Sequence, residues 1–307
     1  MGSYDCAKRG SAPKITEIVA HGLRDNFVNK VFFMNRLYKT LICNKQVSLT
    51  VTETTGLVQR ARDIHGLAPA AAKTLGELLT CGVYMSGCLK SEKGAISITI
   101  KGASGAGSAS VSGDINLHMR GYIDGSAEGR LAGGFMTVIK DDGFFRPFTG
   151  ACELISDDVS QNFEHYFELS EQIPTKVRVG ALFDGEKCLA AGGIVMQLLP
   201  GADDAAKETV LKKTEEIGDV AEDIRLLGAE GVLKKYFAKE TGGEHVYITE
   251  PGYKCNCSRE KISAILLTMG KSELEDIIKE QGEISVHCHY CNTDYKFGQD
   301  DIDKLFK

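Results

Sequence analysis

Two short stretches near the end of the chain decide the fold of its C-terminal region: Cys255-Asn256-Cys257 and Cys288-His289-Tyr290-Cys291. Four thiols in two close pairs form the donor set of a closed tetrahedral zinc site, in which each pair holds one edge of the metal with Zn–S bonds of about 2.3 Å. The spacing therefore predicts one Zn2+ per chain in the reduced protein. The predicted metal ligands are Cys255, Cys257, Cys288 and Cys291.

Two histidines flank Cys288 in sequence, namely His287 and His289. Either imidazole is an alternative zinc ligand. Four thiolates already complete the site, and successive residues of a strand point to opposite faces, so the sequence favours the four cysteines.

The composition is that of an ordinary globular protein with room for about two domains: 307 residues, 43% apolar and 25% charged. A net charge of −6 argues against a bulk electrostatic hold on nucleic acid or anionic lipid. No run approaches the roughly 18 apolar residues of a membrane span, and the N-terminus has no secretory apolar segment. We expect a cytoplasmic protein, with organellar targeting left open by the N-terminal tail.

The remaining six cysteines are scattered without the spacing of metal ligands. In a chain with no export signal they predict a reducing compartment, where thiols bind metal or sense redox state. We interpret them as small buried apolar residues. They are Cys6, Cys43, Cys81, Cys88, Cys152 and Cys188.

Residues 14–200 predict one mostly antiparallel α/β domain after a loose tail at 1–13. Strands are expected at 28–33, 36–42, 47–51, 95–101 and 135–140, with a closing hairpin of 177–183 and 188–199 around Asp184-Gly185. Helices are expected at 54–65, at 69–88 with a face of small residues, and after Ser156-Asp157-Asp158, where the serine hydroxyl is the expected N-cap. The glycines after residue 101 indicate hairpin turns and not a phosphate loop, because Ser108 stands where that loop requires lysine.

A boundary falls at 199–202, and the composition then changes. Residues 203–240 are charged and helical, with one apolar stripe of Ile217, Val220, Ile224 and Leu227. A helical segment with a single apolar stripe is not stable in isolation, so it must pack that stripe against another element. We assign residues 201–248 as a helical linker and 249–307 as a small zinc domain, which makes the overall class α+β.

Within the zinc domain we expect helices at 258–269 and from 272, the second opened by a capping box at Ser272-Glu273-Leu274-Glu275, and strands at 284–287 and 295–297. A core of so few apolar residues is marginal. Structural zinc contributes on the order of 10–16 kcal/mol of apparent binding free energy, so this domain should unfold without its metal.

Enzymatic use of the zinc is disfavoured. The sequence lacks the His-x-Glu and Pro-Cys-x-x-Cys pattern of nucleobase deaminases and the Gly-x-Ser-x-Gly elbow of hydrolases, and its other histidines are isolated. A zinc-ribbon nucleic-acid binder could use Tyr253, Tyr290, Tyr295 and Phe297 for stacking. However, residues 251–307 hold eight basic and ten acidic side chains, whereas such binders need a basic face.

The remaining interpretation is a redox switch. Thiolates on zinc are deprotonated and oxidisable, and an oxidant would convert the close pairs into disulfides and release the metal. Proximity in sequence favours Cys255–Cys257 and Cys288–Cys291, although a Cys-x-Cys ring is strained. The zinc domain would then unfold, the linker would lift, and apolar surface would become available to other apolar chains.

These residues, in this order, resemble the redox-regulated 33 kDa heat-shock chaperonin family over nearly the whole chain from about residue 14. Besides the cysteines, the resemblance rests on Ser170-Glu171-Gln172-x-Pro174, Ala190-Ala191-Gly192-Gly193, Leu199-Pro200-Gly201-Ala202 and Gly270-Lys271-x-x-Leu274-Glu275-Asp276. The chain departs from the family in its longer N-terminal tail and in its six additional cysteines.

The resemblance implies a stress-response chaperone and not an enzyme: an ATP-independent holdase that binds unfolding proteins after zinc release and disulfide formation. It implies a reduced monomer and an oxidised homodimer, with no nucleic-acid or membrane partner. By the same resemblance the four cysteines are zinc ligands and redox sensors, and residues 203–240 are the metastable linker. The alternative is a constitutive zinc-stabilised module for protein or nucleic-acid interaction, without redox switching.

Overall fold

The structure is a computed structural model that describes residues 35–103, 107–124, 131–144, 146–241 and 246–307. It divides into two units, the first ending at Tyr253 and the second comprising Lys254–Lys307. The predicted tail at 1–13, the predicted strand at 28–33 and Cys6 lie outside the described residues. Within the described residues, no helix combines the length and apolar character that a membrane crossing requires.

The first unit contains two sheets. The strands are β1 Asn35–Ile42, β2 Val47–Thr54, β3 Ala95–Lys101, β4 Ser108–Asp114, β5 His118–Ile123, β6 Phe135–Asp141, β7 Phe148–Glu153, β8 Thr175–Asp184, β9 Lys187–Leu198, β10 Tyr247–Thr249 and β11 Gly252–Tyr253. The first sheet has the order β10-β1-β2-β9-β8 and the second has the order β11-β5-β4-β3-β6-β7. Every pairing is antiparallel except that of β11 with β5. The predicted α+β class with mostly antiparallel strands is confirmed.

Helix α2 (Pro69–Ser86) packs against both sheets, with α1 (Thr55–His65) and α3 (Val159–Tyr166) beside it. Its small residues are needed for close contact: a Cβ at Gly82 would lie 2.8 Å from side-chain carbons of both Val111 and Met119 on the second sheet. The small-residue face predicted for this helix is therefore explained by packing. The apolar side chains between the sheets, among them Leu75, Leu79 and Phe163, are wholly buried.

The start of α3 differs in detail from the prediction. The capping residue is Asp158, whose carboxylate accepts hydrogen bonds from the amides of Ser160 and Gln161. The hydroxyl of Ser156 instead accepts a bond from the Asp158 amide, before the helix begins. A carboxylate at this position also interacts favourably with the positive end of the helix dipole. After α3 a π-helical turn, Phe167–Glu171, leads into β8.

The linker packs on the face of the first sheet that is turned away from α2. It consists of α4 (Asp204–Glu216) and α5 (Val220–Phe237). Ile217, Val220 and Ile224 are buried against that face, as a docking stripe requires, but Ile217 is extended and lies between α4 and α5, so the predicted stripe does not run along one helix. Leu227, the fourth residue of the predicted stripe, is 46% exposed, because the backbone leaves helical geometry at Gly228 and the stripe ends there.

The second unit is a small α+β fold. It contains α6 (Arg259–Leu267), α7 (Lys271–Gln281), β12 (Ile284–Cys288), β13 (Thr293–Phe297) and α8 (Gln299–Leu305). The predicted capping box at Ser272 is wrong: α7 begins at Lys271 after Gly270, whose φ of 90° only glycine adopts readily. In Lys254–Lys307, all of which the structure describes, the buried apolar cluster is Leu266, Leu274, Ile284, Phe297 and Ile302.

Candidate metal centre

The four cysteine sulfurs predicted as metal ligands lie together in the second unit, all within 4.8 Å of one another. The sulfurs of Cys255 and Cys288 are 3.7 Å apart, and those of Cys257 and Cys291 are 3.3 Å apart. Bonds of about 2.3 Å directed to the corners of a tetrahedron place sulfurs about 3.8 Å apart. The donor set and its spacing therefore fit a tetrahedral thiolate site.

Local backbone structure places each pair. Cys255 and Cys257 lie in the extended segment before α6, whose N-cap Ser258 accepts a bond from the amide of Lys261. Cys288 ends β12, and its carbonyl accepts bonds from the amides of Cys291 (3.3 Å) and Asn292 (2.9 Å). These local bonds shape the chain next to each pair of cysteines.

The turn after Cys288 is completed by a left-handed residue, Asn292, at φ 55°. Asparagine tolerates this conformation better than most residues because its short polar side chain bonds locally. The turn returns the chain into β13, so that Cys288 faces Thr293 across the hairpin. The turn of this hairpin therefore positions both cysteines of the Cys-x-x-Cys pair.

Two hydroxyl groups approach the sulfurs, and sequence reasoning did not assign them to the site. The Tyr295 hydroxyl lies 3.1 Å from the sulfur of Cys257, and the Thr293 hydroxyl lies 3.3 Å from that of Cys291. A hydroxyl that donates to a thiolate stabilises its negative charge and fixes its orientation. The sequence offered Tyr295 only as a possible stacking residue; its place on the hairpin beside the cysteine turn was the signal for this role.

The thiols of the cluster differ in acidity. At Cys255 burial raises the pKa to about 12, and at Cys291 burial also raises the pKa. At Cys257 burial again acts to raise the pKa, but hydrogen bonds from the Tyr295 hydroxyl and from neighbouring thiols outweigh it, and the pKa falls to about 7. Of these three thiols, that of Cys257 is therefore the most readily available as thiolate near neutral pH.

The two histidines that flank Cys288 in sequence contact other side chains. His287 Nδ1 lies 2.7 Å from the carboxylate of Asp294, its partner across the hairpin. The ring of His289 packs edge-on against that of His287 at 5.1 Å. Among the described residues, the group of side chains close enough to share a metal consists of the four cysteines alone. The geometry thus favours thiolate ligation over the histidine alternative.

The other described cysteines belong to the first unit. Cys81, Cys152 and Cys188 are buried, as predicted, and burial raises the pKa of Cys152 to about 11 and that of Cys188 to about 12. Cys43 and Cys88 depart from that prediction because they are only partly buried; the ammonium of Lys39 lies 3.8 Å from the Cys88 sulfur. The buried thiols of the first unit thus remain protonated at neutral pH, whereas that of Cys257 is partly ionised there.

Comparison with known proteins now gives the family. The model of the Hsp33 protein family matches residues 35–298. A 33 kDa chaperonin of Bacillus cytotoxicus is 34% identical over 290 residues, covering 88% of this chain and 98% of the relative. A 33 kDa chaperonin of Clostridium perfringens is 33% identical over 300 residues, covering 89% and 92%.

A crystal structure supports the same assignment. The 33 kDa chaperonin of Thermotoga maritima superposes with a TM-score of 0.79 at 26% identity, covering 89% of this chain and 97% of that one. Fold, cysteine cluster and sequence similarity therefore agree. This chain belongs to the Hsp33 family, and its function is that of a chaperone.

Proposed function

We propose that this chaperone is a redox-regulated, ATP-independent holdase whose four-cysteine centre binds Zn2+ in the inactive, reduced state. The observation that carries the proposal is that one chain contains both a cysteine cluster and an apolar sheet face covered by a linker. A second unit with five buried apolar side chains holds four sulfurs within 4.8 Å of one another, and the preceding linker covers an apolar face of the first sheet. A chemical change at the sulfurs would therefore affect a covered apolar surface.

Zinc would supply stabilisation to the second unit, as in other small domains with a closed thiolate site. Cys255, Cys257, Cys288 and Cys291 would hold it, one ion per chain. The hydroxyls of Tyr295 and Thr293 lie within hydrogen-bonding distance of the sulfurs, and Lys261 Nζ fixes the chain between the first pair by donating to the carbonyl of Asn256 at 2.6 Å.

Oxidation removes these ligands. Hydrogen peroxide accepts two electrons from two cysteine thiolates, which become one disulfide, and takes two protons from solvent to form two water molecules. Two such steps consume all four cysteines. We propose Cys255–Cys257 and Cys288–Cys291 as the disulfides, since each pair is adjacent in sequence. Sulfurs joined in this way no longer act as thiolate ligands, and the second unit then loses most of what holds it folded.

The proposed domains are a chaperone domain at 14–200, a redox-metastable linker at 201–248 and a zinc domain at 249–307. The compact second unit begins somewhat later, at Lys254, since β10 and β11 pair with strands of the first unit. The helices of the linker bury Val210, Ile224 and Phe237 against the first sheet. Their release would expose this sheet face to the apolar segments of unfolding clients. The active form is proposed to be a homodimer acting in the cytoplasm.

The test is client aggregation measured on reduced and on peroxide-treated protein, with zinc release followed in the same samples. Treatment with peroxide and mild warming should release about one zinc per chain and suppress aggregation of an unfolding client without ATP. A variant with Cys43→Ser, outside the cluster, should behave as the unmodified chain does. Equal protection by the reduced and oxidised forms would show instead a constitutive zinc-stabilised interaction module.

A further inference from the structure

Strand β2 presents one alternating face to the linker. Val47, Leu49 and Val51 are buried in the cluster that the linker helices complete. Because side chains of a strand alternate between its faces, Glu53 continues the same row. We call Val47, Leu49, Val51 and Glu53 the β2 strip. Glu53 is the only charged member of this strip, and it lies where the linker bends.

The bend lies at Gly228, where φ is 65° and ψ is 171°, inside the segment of α5. This backbone conformation is essentially restricted to glycine. It interrupts the helix, so the first amides of the following helical segment lack carbonyl partners within the helix, as at any helix N-terminus. The amide of Ala229, the first of them, donates to a carboxylate oxygen of Glu53 at 3.1 Å.

Glu53 therefore supplies to α5 what an N-capping side chain normally supplies from within the helix. Its negative charge also lies at the positive end of the helical segment that follows the bend. Burial raises the pKa of Glu53, while the Ala229 amide and the guanidinium of Arg36, its cross-strand neighbour on β1, favour the charged form. A partly buried carboxylate of this kind is tolerated because it is hydrogen-bonded.

The opposite end of β2 carries a comparable contact. Gln46, directly before the strand, donates from its amide nitrogen to a carboxylate oxygen of Asp203 at 3.0 Å and accepts from the Asp203 backbone amide at 2.7 Å. Asp203 is the N-cap of α4 and accepts from the amide of Ala206. Each end of β2 thus holds the start of one helical segment of the linker, with the apolar part of the strip between.

We propose that Glu53 is a positioning residue of the linker: its carboxylate caps the second half of α5, holds the bend at Gly228 and sets how firmly the linker covers the β2 strip. The contact stands on its own geometry, whereas its consequence for chaperone activity rests on the proposed function. Loss of the acceptor leaves the Ala229 amide without its partner at a docked, partly buried position, and the docked state loses stability relative to the released state.

Hydrogen exchange on the reduced, zinc-loaded full chain tests the contact. Glu53→Ala should accelerate exchange of the amides at 229–237 by about 10-fold, the effect expected for a lost cap. Glu53→Gln, which retains a carbonyl acceptor, should keep the rates within about 3-fold of the unmodified chain. Glu208→Ala removes an exposed carboxylate of α4 and is the matched control. Rates in Glu53→Ala equal to those of the control, or equal acceleration by Gln and Ala, would overturn the proposal.

Gly228→Ala probes the same bend from the linker side and covers the case in which Glu53→Ala fails to fold. A Cβ residue avoids this backbone conformation, so exchange at 229–237 should accelerate while the amides of β9 stay protected. Unchanged exchange at 229–237 in this variant would contradict the proposal. Client protection is then measured without peroxide. If exchange at 229–237 accelerates and the reduced protein also gains the ability to suppress client aggregation, both proposals are supported. If exchange accelerates without that gain, the role of Glu53 is supported and the proposed function is refuted.

Discussion

The first unit surrounds its central helix with two sheets and wholly buries side chains such as Leu75, Leu79 and Phe163, whereas the second unit has a buried cluster of five apolar residues beside four sulfurs. Apolar burial stabilises a fold by about 25 cal/mol per Å2, so a unit with a small core gains little from it. A metal held by four thiolates can replace that missing core. The same contrast explains why a redox signal would unfold the second unit and leave the sheets of the first unit folded.

The largest expected effect comes from breaking the sulfur cluster. Cys288→Ser removes one of the four proposed ligands, so zinc retention should weaken and protection from hydrogen exchange should be lost across 254–307. The linker should loosen as well, while the sheets of the first unit keep their protection. Cys43→Ser serves as the control for loss of a thiol. Simultaneous melting of the whole chain in Cys288→Ser would mean that the two units do not differ as described.

A substitution in the core of the first unit provides the converse test, because it creates a cavity there and leaves the sulfur cluster intact. Leu79→Ala removes a wholly buried side chain from the core between the sheets and should lower the free energy of unfolding of that unit by about 2–5 kcal/mol. Zinc stoichiometry and the exchange rates at 254–307 should not change, because the proposed source of stabilisation there is the metal. Denaturant unfolding followed separately for each unit gives the measurement. Loss of zinc in this variant would contradict the contrast.

A pH dependence is expected in the first unit. Burial raises the pKa of Glu77 on α2 from 4.5 to about 7, with Lys73 opposing the rise. A carboxyl group whose pKa is raised by folding favours the folded state most below its unfolded pKa, and that contribution is lost as pH rises from about 4.5 through 7. Glu77→Gln should therefore stabilise the unit at pH 8 by up to about 3 kcal/mol, with little effect at pH 4. An equal effect of the substitution at both pH values would show that Glu77 does not titrate in this way.

A smaller effect is expected from the hydroxyl beside Cys257. Tyr295→Phe removes the hydrogen bond to the sulfur and should lower zinc affinity by about 10- to 100-fold without unfolding the zinc-saturated second unit. Competition with a chelator measures it. Tyr247→Phe, on β10 of the first unit, is the matched control. An affinity equal to that of the control would remove Tyr295 from the set of residues that support the site.

Much of this architecture could be predicted from local patterns. Alternation located strand β3, Asp184-Gly185 located the β8–β9 turn, and cysteine spacing located all four sulfurs, because each feature depends on neighbours in sequence. The contacts at Tyr295 and Glu53 were not predictable in this way. The first follows from the fold of a hairpin, and the second joins residues 176 positions apart. Leu227 was assigned to the buried stripe because a regular helix was assumed across Gly228.

The central claim is that the metal holds the second unit folded and that the second unit keeps the linker docked. Hydrogen exchange of the reduced protein before and after removal of zinc by a chelator, with thiols kept reduced, tests it most directly. We predict loss of protection at 254–307, faster exchange at 203–241 and unchanged protection in β2 through β9. A chelated chain in which 254–307 remains protected and the linker exchanges as slowly as before would contradict the account.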